Sequence, residues 1–181
     1  PWHTWQSMAS VTDGSSNTIA FSEAIASGGS QDVKGRVVFA ETPANLRTDP
    51  LGECDSDLLD TSDRKKFKSS LAIVGVVRGQ RLADSRLFHG LFNTVNLPNA
   101  PSCAFINGDG NNNYGVFAPS SNHSGGVNAA LADGSVRFIS ETISNKSTGI
   151  ATPVDSDSGA SQFGIWGAYG SVNGGESAGS L

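Results

Sequence analysis

SSNHSGGVNAALADGSVRFISETI, Ser120 to Ile143, is the stretch whose reading decides the fold. Asp133 and Gly134 separate two short runs of alternating character. Asp-Gly between such runs is a strong signal for a hairpin, because tight turns need positive φ and these residues tolerate it. A two-residue turn at Asp133-Gly134 predicts that Leu131 faces Val136 and Ala129 faces Phe138, with Val127 on the same apolar side. Asn128, Ala130, Ala132, Ser135, Arg137 and Ile139 would then occupy the opposite side. One apolar and one polar face suit a sheet that covers a core on one side only. Phe138 is thus expected in the core. His123 precedes the hairpin with nine residues between it and Asp133. Gly125 and Gly126 are expected to let the backbone turn into Val127.

Working outward, Val11 to Ala24 reads VTDGSSNTIAFSEA. Asp13, Gly14, Ser15, Ser16 and Asn17 form a turn of side chains suited to bonding nearby backbone. Thr18 to Ser22 then alternates as a strand, with Ile19 and Phe21 on one face. Arg36 to Ala40 and Leu91 to Val95 read as further strands. Leu58 to Ser70 reads as a helical turn or two, and Leu71 to Val77 suits a buried strand or a helix equally. Pro98, Asn99 and Pro101 force an extended loop. Phe163, Ile165, Trp166 and Tyr169, spaced by glycines, read as aromatics that close a core.

The chain has 181 residues, a net charge of −5, only 16% charged residues and 22 glycines. That length gives one domain, residues 1–181, with a real core. The composition fits short strands joined by turns and long Gly/Ser/Asn-rich loops, an α+β fold that is mainly antiparallel β. The acidic balance argues against nucleic acid as a partner. Arg64, Lys65, Lys66 and Lys68 form a local basic cluster, read as a solvated helix face. No apolar run is long enough to span a membrane.

Four stretches carry a resemblance: the His, nine-residue, Asp-Gly spacing ending at Gly134; the Asp13-Gly14 turn with its strand and closing Glu23; the order Arg78-Gly79, Ala83-Asp84, Phe92-Asn93-Thr94-Val95, Pro98-Asn99 and Pro101-Ser102-Cys103; and the segment Phe163 to Gly170 followed by Asn173-Gly174-Gly175-Glu176. Together they resemble the pseudopilin-like proteins of planctomycetes, a family of unassigned function. This chain has Leu82 and Ser85 where members usually have Trp and Gly. The resemblance implies a pilin-like globular head at the cell surface or outside it. It also implies that a leader and an N-terminal helix precede Pro1 in the whole protein, that helix being the only expected contact with a membrane. The implied partners are copies of the chain itself or related pilin-like subunits. Cys54 and Cys103, the only two cysteines, lack metal-type spacing, and in an exported family an even count suggests one disulfide.

Two function classes follow. The first is a non-enzymatic structural or assembly protein. The second is a ligand-binding or hydrolytic domain centred on His123, with Asp133, Asp84 and Ser121 as its conceivable companions. No nucleophile elbow, phosphate loop or dinucleotide fingerprint supports the second. The favoured role of His123, Asp133, Gly134, Asp13 and Gly14 is structural, with no catalytic residue assigned. No cofactor is required; the one candidate cation is calcium. Alternate oxygen-bearing side chains at Asp109 and Asn111, and again at Asp155 and Asp157, follow a spacing that hard cations use.

Overall fold

The computed structural model describes residues 7–26, 29–40, 43–75, 78–79, 87–106, 113–145, 149–151 and 159–176. Among these, six strands form two three-stranded sheets. The first has the order β1 (Ile19–Ser22), β5 (Gly126–Leu131), β6 (Val136–Ser140), all antiparallel. The second has the order β2 (Val38–Phe39), β3 (Cys103–Ile106), β4 (Asn113–Val116), parallel between β2 and β3 and antiparallel between β3 and β4. The helices are short: α1 (Pro43–Thr48), α2 (Pro50–Glu53), α3 (Leu87–Gly90) and α4 (Gly164–Gly170). The class is therefore α+β with mainly antiparallel sheets, as expected.

The hairpin forms, but not in the expected register. Gly134 alone takes positive φ, at 85°, while Asp133 does not. The Leu131 N–H donates to Ser135 O at 2.8 Å, and the Gly134 N–H donates to Leu131 O at 2.9 Å. The loop is thus three residues, a type I turn closed by a left-handed glycine. That one extra residue pairs Ala130 with Val136, Asn128 with Phe138 and Val127 with Ile139. A slip of one residue exchanges the two faces of a strand. Ile139 is buried with Val127 and Ala129, whereas Phe138 and Val136 are exposed. The expectation that Phe138 lies in the core is therefore corrected. A similar irregularity corrects β1: the register shifts between Ile19 and Phe21, so Ile19 packs inward and Phe21 points out.

Trp166 of α4 completes the core of this sheet against Val127, Ala129 and Ile139, with Ile19 and Ile143 at its margin. Its indole N–H, which needs a partner once buried, donates to Asn96 O at 2.8 Å. Phe163 and Tyr169 are buried beside it, so the aromatic segment closes the core as expected. The second sheet packs Val38, Cys103 and Val116 with Val33, Leu46 and Phe67.

Other expectations change. Residues 91–95 form no strand, because the Asn93 side chain replaces ladder partners. Its amide donates to Gly115 O at 2.9 Å and its carbonyl oxygen accepts from the Phe117 N–H at 3.3 Å. Residues 59–67 form a turn bridged from Leu59 to Phe67 rather than a helix. The Asp60 carboxylate caps it, accepting from the backbone N–H groups of Ser62 and Asp63. Arg64, Lys65 and Lys66 are exposed on that turn. Within Leu71 to Val77, Ile73 makes an isolated bridge to Val38, and residues 76–77 lie outside the described ones.

Candidate functional site

Of the residues singled out by sequence, Ser121 and His123 precede β5, and the Asp133-Gly134 turn follows it with the Asp13-Gly14 turn against it. His123 and Asp133 are not neighbours, since a six-residue strand separates them by about 20 Å.

At the Asp133 end, the two Asp-Gly turns meet. The Ala132 and Asp133 N–H groups donate to Thr18 O at 2.8 Å and Ser15 O at 3.0 Å. The Asp133 carboxylate faces its own turn, accepting from Ser135 N–H at 2.8 Å and Ser135 Oγ at 2.7 Å. These bonds hold its pKa below the ordinary value. Asp13 reaches much further along the chain. Its Oδ2 accepts from the Gly174 N–H at 2.7 Å and its Oδ1 from the Gly175 N–H at 2.8 Å. Thr12 N–H donates to Val172 O at 2.8 Å and Thr18 Oγ1 to Ser171 O at 3.2 Å, completing a clasp between both ends of the described chain. Partial burial of Asp13 favours its neutral form, but the Gly175 and Gly174 N–H groups and the Ser171 hydroxyl outweigh it and lower the pKa. Gly14 turns the backbone there at φ 99°.

At the His123 end, the organising residue is Glu23, immediately after β1. Its Oε2 accepts from the Asn128 N–H at 2.8 Å, and its Oε1 accepts from Asn128 Nδ2 at 3.2 Å. His123 Nε2 lies 3.3 Å from the same Oε1, with 57% of the imidazole side chain exposed. Burial opposes ionisation of Glu23, yet the Asn128 bonds, the His123 charge and the Ser121 hydroxyl together depress its pKa. Ser121 Oγ accepts from the His123 N–H at 2.9 Å and lies 3.0 Å from Gly126 O, its single proton serving either that carbonyl or Glu23. These bonds make it a brace for the loop. Asn99, held at φ 65°, adds a second brace by accepting from the Ser121 N–H at 2.9 Å and donating to Glu141 Oε2 at 3.1 Å. Residues 23–25 and 120–123 surround an open recess of about 390 Å³. The arrangement holds the loop of residues 120–123 against the sheet.

Glu23, Asn99 and Arg78 are the residues that sequence reasoning undervalued. Asn99 was legible as an Asn after Pro, a residue type that tolerates positive φ. Arg78 closes an apolar run and is buried, donating from Nη1 to Ala118 O and from Nη2 to Leu91 O at 2.8 Å. Burial pushes its pKa down to about 10, so it stays charged at neutral pH.

Between the two ends, the outer face of β1, β5 and β6 is apolar and open. Phe21 is 73% exposed, Val136 66% and Phe138 50%.

Cys54 and Cys103 form the expected disulfide, with Cα atoms 5.7 Å apart, inside the normal range. Asp109, Asn111, Asp155 and Asp157, with Asp84 and His3, lie outside the described residues. Among the described residues, no cluster of three His, Cys, Asp or Glu is placed to hold a metal ion, and no helix is long and apolar enough to cross a membrane.

No curated protein and no solved structure matches the chain significantly. The family model described as "Protein of unknown function (DUF1559)" matches residues 2–146. The Glu23–His123 brace, the disulfide and both Asp-Gly turns fall inside that match, and the chain belongs to this family.

Proposed function

We propose that the chain is the pilin-like head of a non-enzymatic assembly protein of the cell surface, associating with copies of itself or with related subunits. The observation that carries this reading is the open apolar face formed by Phe21, Val136 and Phe138. Large exposed apolar patches on small domains mark association surfaces. The disulfide supports an oxidising, extracellular setting. The resemblance to planctomycete pseudopilin-like proteins supplies the class of assembly. An acidic net charge of −5 favours protein over nucleic acid as the partner. On this reading His123 and Glu23 serve the loop that borders the apolar face, and catalysis forms no part of the role.

Electron microscopy of the native material tests it. Ordered filaments or sheets containing this chain are expected. A dispersed monomer that turns over a sugar or peptide library would overturn the reading, the more so if His123→Ala abolished that turnover without lowering stability.

A further inference from the structure

The strand order leaves β6 at the rim of its sheet, with no strand beyond it among the described residues. Backbone groups in an antiparallel pair alternate between the partner and the open side. The bonds from Leu131 N–H to Ser135 O and from Glu141 N–H to Gly125 O place odd-numbered residues of β6 toward β5. Val136, Phe138 and Ser140 therefore direct their N–H and C=O groups outward. Val136 and Phe138 also carry their side chains on the open apolar face. An unpaired strand with apolar side chains is a template for a further strand unless something guards it. The usual guards are Pro, a bulge or charged side chains; VRFIS has no Pro or bulge, and its one charge is Arg137.

We propose that β6 pairs antiparallel with β6 of a second copy of this chain, about a two-fold axis at Ile139, joining two three-stranded sheets into one of six. The inference rests on the assembly reading above and names its contact. This register pairs two of the three outward residues, Phe138 bonding with Ser140 of the second copy and Ser140 with its Phe138, and leaves Val136 opposite Thr142, past the end of the strand. Ser140 O already accepts from the Ile143 N–H at 3.1 Å and keeps a second lone pair. The same register sets Arg137 opposite Glu141 of the second copy, twice by symmetry, so opposite charges meet across the new seam. The two Phe138 rings become diagonal neighbours on the apolar face, within reach of each other. A register moved by one residue toward the hairpin loses this charge match by setting Arg137 against Ile139.

Sedimentation equilibrium of the full chain tests the contact, at concentrations up to about 500 µM because small interfaces associate weakly. The parent is expected to form dimers. Arg137→Glu or Glu141→Arg alone places like charges opposite each other and should weaken the dimer about tenfold. The double variant restores the match and should return to within about threefold of the parent, a rescue that loss of the Asn99 bond to Glu141 cannot produce. A parent that stays monomeric overturns the contact. So does a dimer indifferent to the single changes, or one that the double variant fails to restore. In those cases filaments in the native material would leave the assembly reading standing on another surface, and their absence would remove both.

Discussion

Gly126 shows how closely the two strands of the hairpin approach at the His123 end. A Cβ built there would lie 2.1 Å from Ile139 O and 2.9 Å from the Phe138 ring. The first of these is backbone and cannot swing aside. Gly126→Ala should therefore destabilise the protein by about 2–3 kcal/mol, as overpacking does, read as a lower urea midpoint at unchanged slope. Gly125, by contrast, is required for its φ of 81° and has open space around it. Asp13 and Glu23 set the acid limb of stability. Both carboxyls have folded pKa values below their ordinary 3.8 and 4.5. Their contribution is fully present above those ordinary values and is lost as pH falls through the lowered, folded ones. The melting temperature should hold steady down to about pH 5 and decline below it. Asp13→Asn should melt lower at neutral pH and show a flatter acid limb, since Gly174 and Gly175 N–H bond to different carboxylate oxygens and Asn turns an NH2 donor toward one of them. His123→Ala should cost less than about 1 kcal/mol, because an exposed pair with Glu23 contributes little.

At the scale of elements, the hairpin loop decides which side chains β6 buries. With the three-residue loop, Ile139→Ala should cost about 2–5 kcal/mol and Phe138→Ala no more than about 1 kcal/mol, measured as differences in unfolding free energy. The two-residue alternative predicts the reverse order. The hairpin's existence was legible because Asp-Gly between two alternating runs has few other uses. Its register was not, since Asp-Gly serves both a two-residue turn and the last two positions of a three-residue one. Only the φ of Asp133 separates them, and composition does not record it. The β1 bulge escaped for the same reason, as alternation in sequence assumes an uninterrupted ladder. Asn93 hid a different way: its amide imitates the backbone, so a segment rich in strand-forming residues pairs without becoming a strand. The aromatic glycine-spaced segment was legible as core closure because Trp166 and Tyr169 are too large to stay outside, while its helical form was masked by three glycines within Gly164–Gly170.

Across the whole molecule, two sheets with separate core clusters are held together by a few long-range ties. The segment from Asn93 to Cys103 carries most of them. Asn96 Nδ2 donates to Cys54 O at 2.9 Å and Pro101 O at 3.0 Å, while Asn96 O accepts the Trp166 indole. The disulfide spans 49 residues and fixes α2 to β3. Removing it by Cys54→Ser with Cys103→Ser should lower stability by about 4 kcal/mol on the chain-entropy argument, read from urea unfolding of both proteins. Of the companions that sequence offered His123, the fold brings Ser121 beside it and sets Asp133 at the far end of β5, while Asp84 lies outside the described residues. Spacing along the chain could not show this, because the separation is the length of the very strand that joins them.

The clasp between residues 12–18 and 171–175 also determines how the molecule carries load. Among the described residues, a pull along the chain from either side reaches the Thr12, Asp13 and Thr18 bonds to Val172, Gly174, Gly175 and Ser171 before it reaches either sheet. While they hold, the two sheets between them bear no tension, as a closed shackle shields what hangs inside it. Once they part, the first segment to extend from the N-terminal side is β1, which leads directly into Glu23 and so to the loop that carries His123.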